Sequence, residues 1–223
     1  MLRADHLIKE FTLGSQVVRA LDDLDLEIPN GEFVSVAGPS GSGKSTLLMS
    51  LGGLVRPTSG RVLHDEVDIY IQPPSWQTEF RQNTIGFVFQ QFHLVPYLTA
   101  WENVALPLML NGNHSQRHQE IATCQLDQLG LGSRLNHKPS QLSVGQQQRV
   151  ALARTLVNNP AIILADEPTG SLDPSLATDL VRLLKDLNKD GKTIVLVTHS
   201  KEIAAAGSRQ LSLLDGRICK PPH

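Results

Sequence analysis

Four short stretches of the chain carry residue types whose spacing suits phosphate chemistry. In "GPSGSGKST", residues 38–46, the spacing is G-x-x-x-x-G-K-[ST]. Glycines there let the backbone wrap closely around a phosphate, and successive N–H groups line the cradle. Gly38, Pro39, Ser40, Gly41, Ser42, Gly43, Lys44, Ser45 and Thr46 are therefore the candidate nucleotide contacts. Lys44 is expected to reach the terminal phosphates and Ser45 to ligate Mg²⁺. In "IILADEPTG", an apolar run ends in Asp166 and Glu167. Asp166 suits a metal, held directly or through water, and Glu167 suits a base that orients or deprotonates water, a role worth about 10²–10⁴ in rate. His199 follows the apolar run "TIVLVT" and lies near the γ-phosphate if those strands are parallel neighbours. His6, His64, His93, His114, His118, His137 and His223 lack such a setting and receive no role.

The fourth stretch, "QLSVGQQQRVALARTL" at 141–156, begins as a loop and becomes a helix. Ser143 is a good N-cap, and Gln146 three positions on completes a capping box. Val150, Leu152, Ala153, Leu156 and Val157 are spaced to bury one side of that helix. Its free N–H groups and dipole attract anions. Yet the loop at 38–46 already supplies one nucleotide site with its lysine, and this second helix start carries none. Ser143, Gly145 and Gln146 are thus expected to complete the site of another copy, with two chains head to tail around two ATP molecules.

The elements that must position these groups follow from periodicity. "HLIKEF", "VVRALDDLDLEI" and "GEFVSVAG" read as strands, with a turn at Pro29, Asn30 and Gly31. "STLLMSLGGL" reads as a helix stopped by Gly52 and Gly53. "TIGFVFQ" is a short strand ended by Gln90, and Thr99 to about Val157 is mainly helical. Strand and helix then alternate to the end. "AIILA" and "TIVLV" are apolar at every position, which predicts strands covered by helices on both faces. The expected architecture is an α/β core, 1–90 with 157–223, interrupted by an all-helical subdomain at 91–156.

Composition sets outer limits. The chain has 223 residues, 40% of them hydrophobic, enough for a sizeable core. A net charge of −2 argues against nucleic-acid binding by bulk positive charge. The opening residues lack a signal-peptide core, and runs such as "VALPLML" fall far short of the ~18 residues that span a bilayer. Any membrane role must come through a partner. Cys124 and Cys219 lack metal-ligand spacing and read as reduced, incidental thiols.

Together, "GPSGSGKST", "FVFQQ", "LSVGQ", "ADEPTGSLD" and "VTHS", in that order, closely resemble the nucleotide-binding subunits of ABC transporters along essentially the whole chain. The resemblance implies a RecA-like P-loop NTPase core with an antiparallel β subdomain and an inserted helical subdomain. It implies a Q-loop role for Gln90, touching Mg²⁺ or water and facing the transmembrane partner. It makes Ser171, Leu172 and Asp173 a D-loop that communicates across the dimer. Phe11 aligns with the aromatic that stacks on adenine, although a core or edge-strand aromatic reads the same way. The stretches "LVPYLTAWENVALPL" and "NHKPSQLS" are most similar to the ATPases of lipoprotein-releasing, macrolide-export and cell-division permeases. The implied protein is a homodimeric ATPase using ATP and Mg²⁺ at the cytoplasmic face of the membrane, bound to permease subunits and not to nucleic acid. "FHLVPYLTAW" is either part of the docking groove or a core segment of the insert. Val144 stands where the family usually has glycine, which bears on the hydrolysis rate more than on the mechanism. Two other classes remain: a soluble ABC-type ATPase acting on nucleic acid or protein complexes, and a P-loop kinase. The first lacks a coiled-coil insertion here, and the second leaves "LSVGQQQRV" and His199 without work.

Overall fold

The computed structural model describes residues 1–110 and 116–219, the side chain of Gln116 excepted; His114 and His223 lie outside them. Strands β1 (Leu2–Leu13), β2 (Gln16–Ile28) and β3 (Phe33–Ala37) come first, then helix α1 (Lys44–Leu51). Next come β4 (Ser59–His64), β5 (Val67–Asp68), α2 (Pro74–Asn83) and β6 (Ile85–Phe89). Helices α3 (Ala100–Met109), α4 (Gln116–Gln128) and α5 (Val144–Leu156) precede β7 (Ile162–Asp166). The chain closes with α6 (Pro174–Lys189), β8 (Thr193–Thr198), α7 (Lys201–Ala204), β9 (Arg209–Leu214) and β10 (Arg217–Cys219).

Two sheets form. One is antiparallel, in the order β2-β1-β4-β5; the other runs β10-β9-β3-β8-β7-β6 and is parallel except at its β10 edge. β8 is buried along its whole length and lies between β3 and β7. The unbroken apolar runs require this, because each face must be covered. β4, β5 and α2 occupy a stretch without a clear period. β5 has two residues, and α2 buries only Phe80.

Three apolar clusters hold these layers. One joins both sheets around α1, through Leu47, Leu48 and Leu51. A second lies among the helices, with Val104, Leu126, Val150 and Ala153. The third seals the far face of the parallel sheet under α6, with Leu152, Leu180, Leu184 and Leu196. Helix α5 departs from the one-sided burial expected of it. Val150, Ala153 and Val157 enter the helical cluster, whereas Leu152 and Leu156 pack on the sheet cluster. Residues two apart on a helix point to nearly opposite sides. The same apolar count therefore serves two faces, and α5 bridges the clusters.

Candidate functional site

The carboxyl ends of β3, β8 and β7 stand side by side, with Ala37 beside Thr198 and Asp166 beside Val197. Ligands of such sheets bind outside those ends. The loop 38–46 leaves β3, Asp166 and Glu167 end β7, and His199 follows β8.

Two glycines of the loop are required by space. A Cβ on Gly43 would lie 2.2 Å from the Ala20 carbonyl oxygen, and its φ of 102° is left-handed. A Cβ on Gly38 would lie 2.3 Å from the Leu213 oxygen. Lys44, 6% exposed, donates from Nζ to the Gly38 and Pro39 carbonyls at 2.8 Å each. Its ammonium thus spans the loop, 3.9 Å from Glu167 Oε1. Ser45 Oγ donates to Asp166 Oδ1 at 2.9 Å. Burial raises the Asp166 carboxyl above its ordinary value; Ser45 opposes this, Glu167 adds to it, and Lys44 offsets it.

Glu167, the residue after β7, has a left-handed φ of 45°, a strain of about 1–3 kcal/mol. Its Oε2 lies 3.0 Å from His199 Nδ1 and accepts from the His199 N–H at 3.2 Å. Glu167 is thereby held between a lysine and a histidine, the arrangement of an oriented base.

A family model described as ABC transporter matches residues 21–170. The ABC transporter ATP-binding protein MJ0796 of Methanocaldococcus jannaschii is 46% identical over 223 residues, 98% of this chain and 95% of that protein. This chain belongs to the ABC transporter family. It is an ATPase cassette with the RecA-like P-loop fold. The dimeric structure of MJ0796 in a post-hydrolysis state bound to ADP and Pi matches it with a TM-score of 0.90, over 98% of this chain and 96% of that one. The macrolide export ATP-binding/permease protein MacB of Hyphomonas neptunium is 47% identical over 218 residues, 98% of this chain but 34% of that protein. The cassette spans about a third of that relative.

The cassette does not gather all of its predicted site residues in one place. Ser143 caps α5 and accepts from Gln146 N–H at 3.3 Å, while Gln146 Oε1 accepts from Ser143 N–H at 3.0 Å. The side-chain oxygen of Gln146 is thus spent on its own helix. Val144 and Gly145 have no intrahelical carbonyl to bond, which leaves their N–H groups for an anion. No hydrogen bond among the described residues joins this turn to the loop 38–46. Asp173 caps α6, accepting from Ser175 and Leu176 N–H at 3.0 Å each. Phe11 is no core residue: it is 39% exposed in the β1–β2 hairpin, with Lys9 Nζ 4.9 Å from its ring centre.

Gln90 leaves β6 and its amide lies against Gly170, where a Cβ would come within 2.7 Å of Nε2. It makes no hydrogen bond to Ser45 or Asp166; instead Ser171 Oγ donates to the Gln90 carbonyl at 3.1 Å. Sequence reading also missed Arg154. Its guanidinium donates to the carbonyls of Phe92 and His93 at 2.7 Å each, tying α5 to the segment after Gln90. Arginine on a half-buried helix face was the available signal.

Proposed function

We propose that the cassette works as an ATP-driven head-to-tail dimer that powers a membrane permease. ATP lies along Gly38–Thr46 of one chain, with Phe11 against adenine. Ser143 and the N–H groups beginning α5 of the other chain close over the γ-phosphate, a suitable charge for a helix start. Glu167 takes a proton from the attacking water, and His199 holds Glu167 in place and faces the transferred phosphoryl group. Lys44 gives up the carbonyls of its loop for phosphate oxygens.

Ser45 and Asp166, hydroxyl and carboxylate 2.9 Å apart, are the oxygen donors that Mg²⁺ prefers, and Gln90 is the third candidate. When bound, Mg²⁺ neutralises charge on the β- and γ-phosphates. The carrying observation is the convergence of Lys44, Glu167 and His199 at three adjacent strand ends, while the α5 start makes no bond to that site.

The chain is read as one cassette domain, with 91–156 as its helical subdomain. Its permease is read as docking beside Gln90. A cavity of about 420 Å³ there is lined by Phe87, Phe89, His93, Pro107, Leu110 and Arg154. The stretch "FHLVPYLTAW" divides between two roles: Leu94 packs on the helical cluster, whereas Tyr97 is 72% exposed. No described helix is long and apolar enough to cross a membrane, so attachment to its cytoplasmic face rests on the permease. Likeness to the ATP-binding third of MacB favours the permease over nucleic acid as the object of work.

The test is the solution mass of Glu167→Gln with and without MgATP, by light scattering. A shift from monomer to dimer that Ser143→Trp abolishes is expected. A mass unchanged by MgATP would refute ATP-driven closure.

A further inference from the structure

Away from the nucleotide site, α5, α6 and the end of α4 line a cavity of about 320 Å³. At their N-terminal ends α5 and α6 touch: a Cβ on Gly145 would lie 2.7 Å from Leu176 Cδ2. Leu176 also lines the cavity, whose apolar wall continues through Leu152, Leu180 and Leu183.

Its polar groups are unevenly satisfied. Gln148 is 7% exposed, and its buried Nε2 has no hydrogen-bond partner among the described residues. An unmet buried amide costs about 1–3 kcal/mol. The adjacent Arg149 forms no ion pair among the described residues, and its one hydrogen bond, to the Leu129 carbonyl, is long at 3.4 Å. The carboxylates at the rim are already engaged, Asp179 with Arg182 at 2.8 Å and Asp186 with Lys189 at 2.8 Å. The unspent groups thus include two donors, the buried Gln148 Nε2 and the Arg149 guanidinium, above a leucine wall.

We infer that this cavity binds a small amphipathic carboxylate. Its chain lies along Leu152, Leu176, Leu180 and Leu183, and its head accepts from Gln148 and Arg149. The volume suits such a ligand, because small-molecule sites begin near ~300 Å³. A ligand wedged between α5 and α6 bears on Leu176, and through it on Gly145 and the turn that carries Ser143.

Decanoate is the probe, titrated calorimetrically into the nucleotide-free chain with decanol as the comparison. Saturable micromolar binding of decanoate is expected. It should weaken about tenfold or more in Arg149→Gln, as loss of a charge-assisted hydrogen bond predicts, and vanish in Leu183→Trp, which fills the cavity. Decanol should bind more weakly than decanoate. The unfolding midpoint of each variant checks its fold. Absence of saturable binding, or binding equal in all three proteins, overturns the inference. Glu167→Gln should bind decanoate as the parent does, so this site and the ATPase reading fail separately.

Discussion

At the scale of single residues, the site gathers charge in a place that resists it. Asp166 is half-buried, and burial pushes its carboxyl upward while Ser45 and Lys44 offset only part of the effect. A carboxyl raised in the folded chain holds its proton more tightly there than when unfolded. Its contribution to stability is thus present below the ordinary aspartate value and lost as pH rises through the raised one. At neutral pH the nucleotide-free cassette carries a carboxylate that it folds better without. Asp166→Asn is expected to raise the urea midpoint at pH about 7, with the advantage fading as pH falls through and below the ordinary aspartate value, where the carboxyl is protonated folded and unfolded alike. ATP hydrolysis should be lost in the same variant. A lower midpoint at neutral pH would show that the Ser45 bond outweighs desolvation. These charged residues were legible in the sequence because their types declare their chemistry. The Ser171–Gln90 bond was not, because it joins a hydroxyl to a main-chain carbonyl 81 positions away.

At the scale of elements, α5 connects separate parts of the fold. Its start presents Ser143, its middle enters two apolar clusters, and its far end bonds to the Phe92 and His93 carbonyls through Arg154. Thr155 adds a bond of 2.7 Å to the Phe87 carbonyl. The helix that begins at Ser143 is thus bonded at its far end to the segment beside Gln90. Leu152, 1% exposed, is the fully buried residue by which α5 holds the sheet cluster, with partly buried Leu156 packed beside it. Leu152→Ala is expected to cost about 2–5 kcal/mol, the range for a buried leucine, read from urea unfolding with an unchanged slope. A cost under about 1 kcal/mol would mean that α5 is held by its polar bonds instead. The helix itself was readable from its cap and apolar spacing, but its two-faced burial was not. Spacing shows which residues are apolar; only the neighbours, set by chain topology, show where each goes. The same distinction separates β7 and β8, apolar throughout and evident, from β4 and β5. β4 exists because β1 offers an edge for pairing, with Leu2 opposite His64, and β5 pairs with β4 in turn.

At the scale of the whole molecule, the cassette holds two half-sites that do not meet. Lys44, Asp166, Glu167 and His199 lie at the ends of the parallel sheet, and the turn from Ser143 begins a helix bonded elsewhere. If each half-site serves a different chain, damage to the two halves must complement, whereas a site completed within one chain gives no such rescue. Lys44→Ala removes the proposed phosphate lysine, and Ser143→Trp blocks the turn proposed to close over a neighbour. Each variant alone has every site damaged and should hydrolyse little ATP. In an equimolar mixture about half of the dimers pair one variant with the other. Each such dimer has one intact site, formed by Lys44 of one chain and Ser143 of its partner, and one doubly damaged site. Activity should therefore return to about a quarter of the parent rate at the same total protein, if the sites turn over independently. A mixture no more active than its components would mean either that each site is completed within one chain or that both sites of a dimer must be intact for either to work. The Glu167→Gln mass measurement separates the second case from a chain that never pairs, because strict coupling still requires the MgATP-dependent dimer.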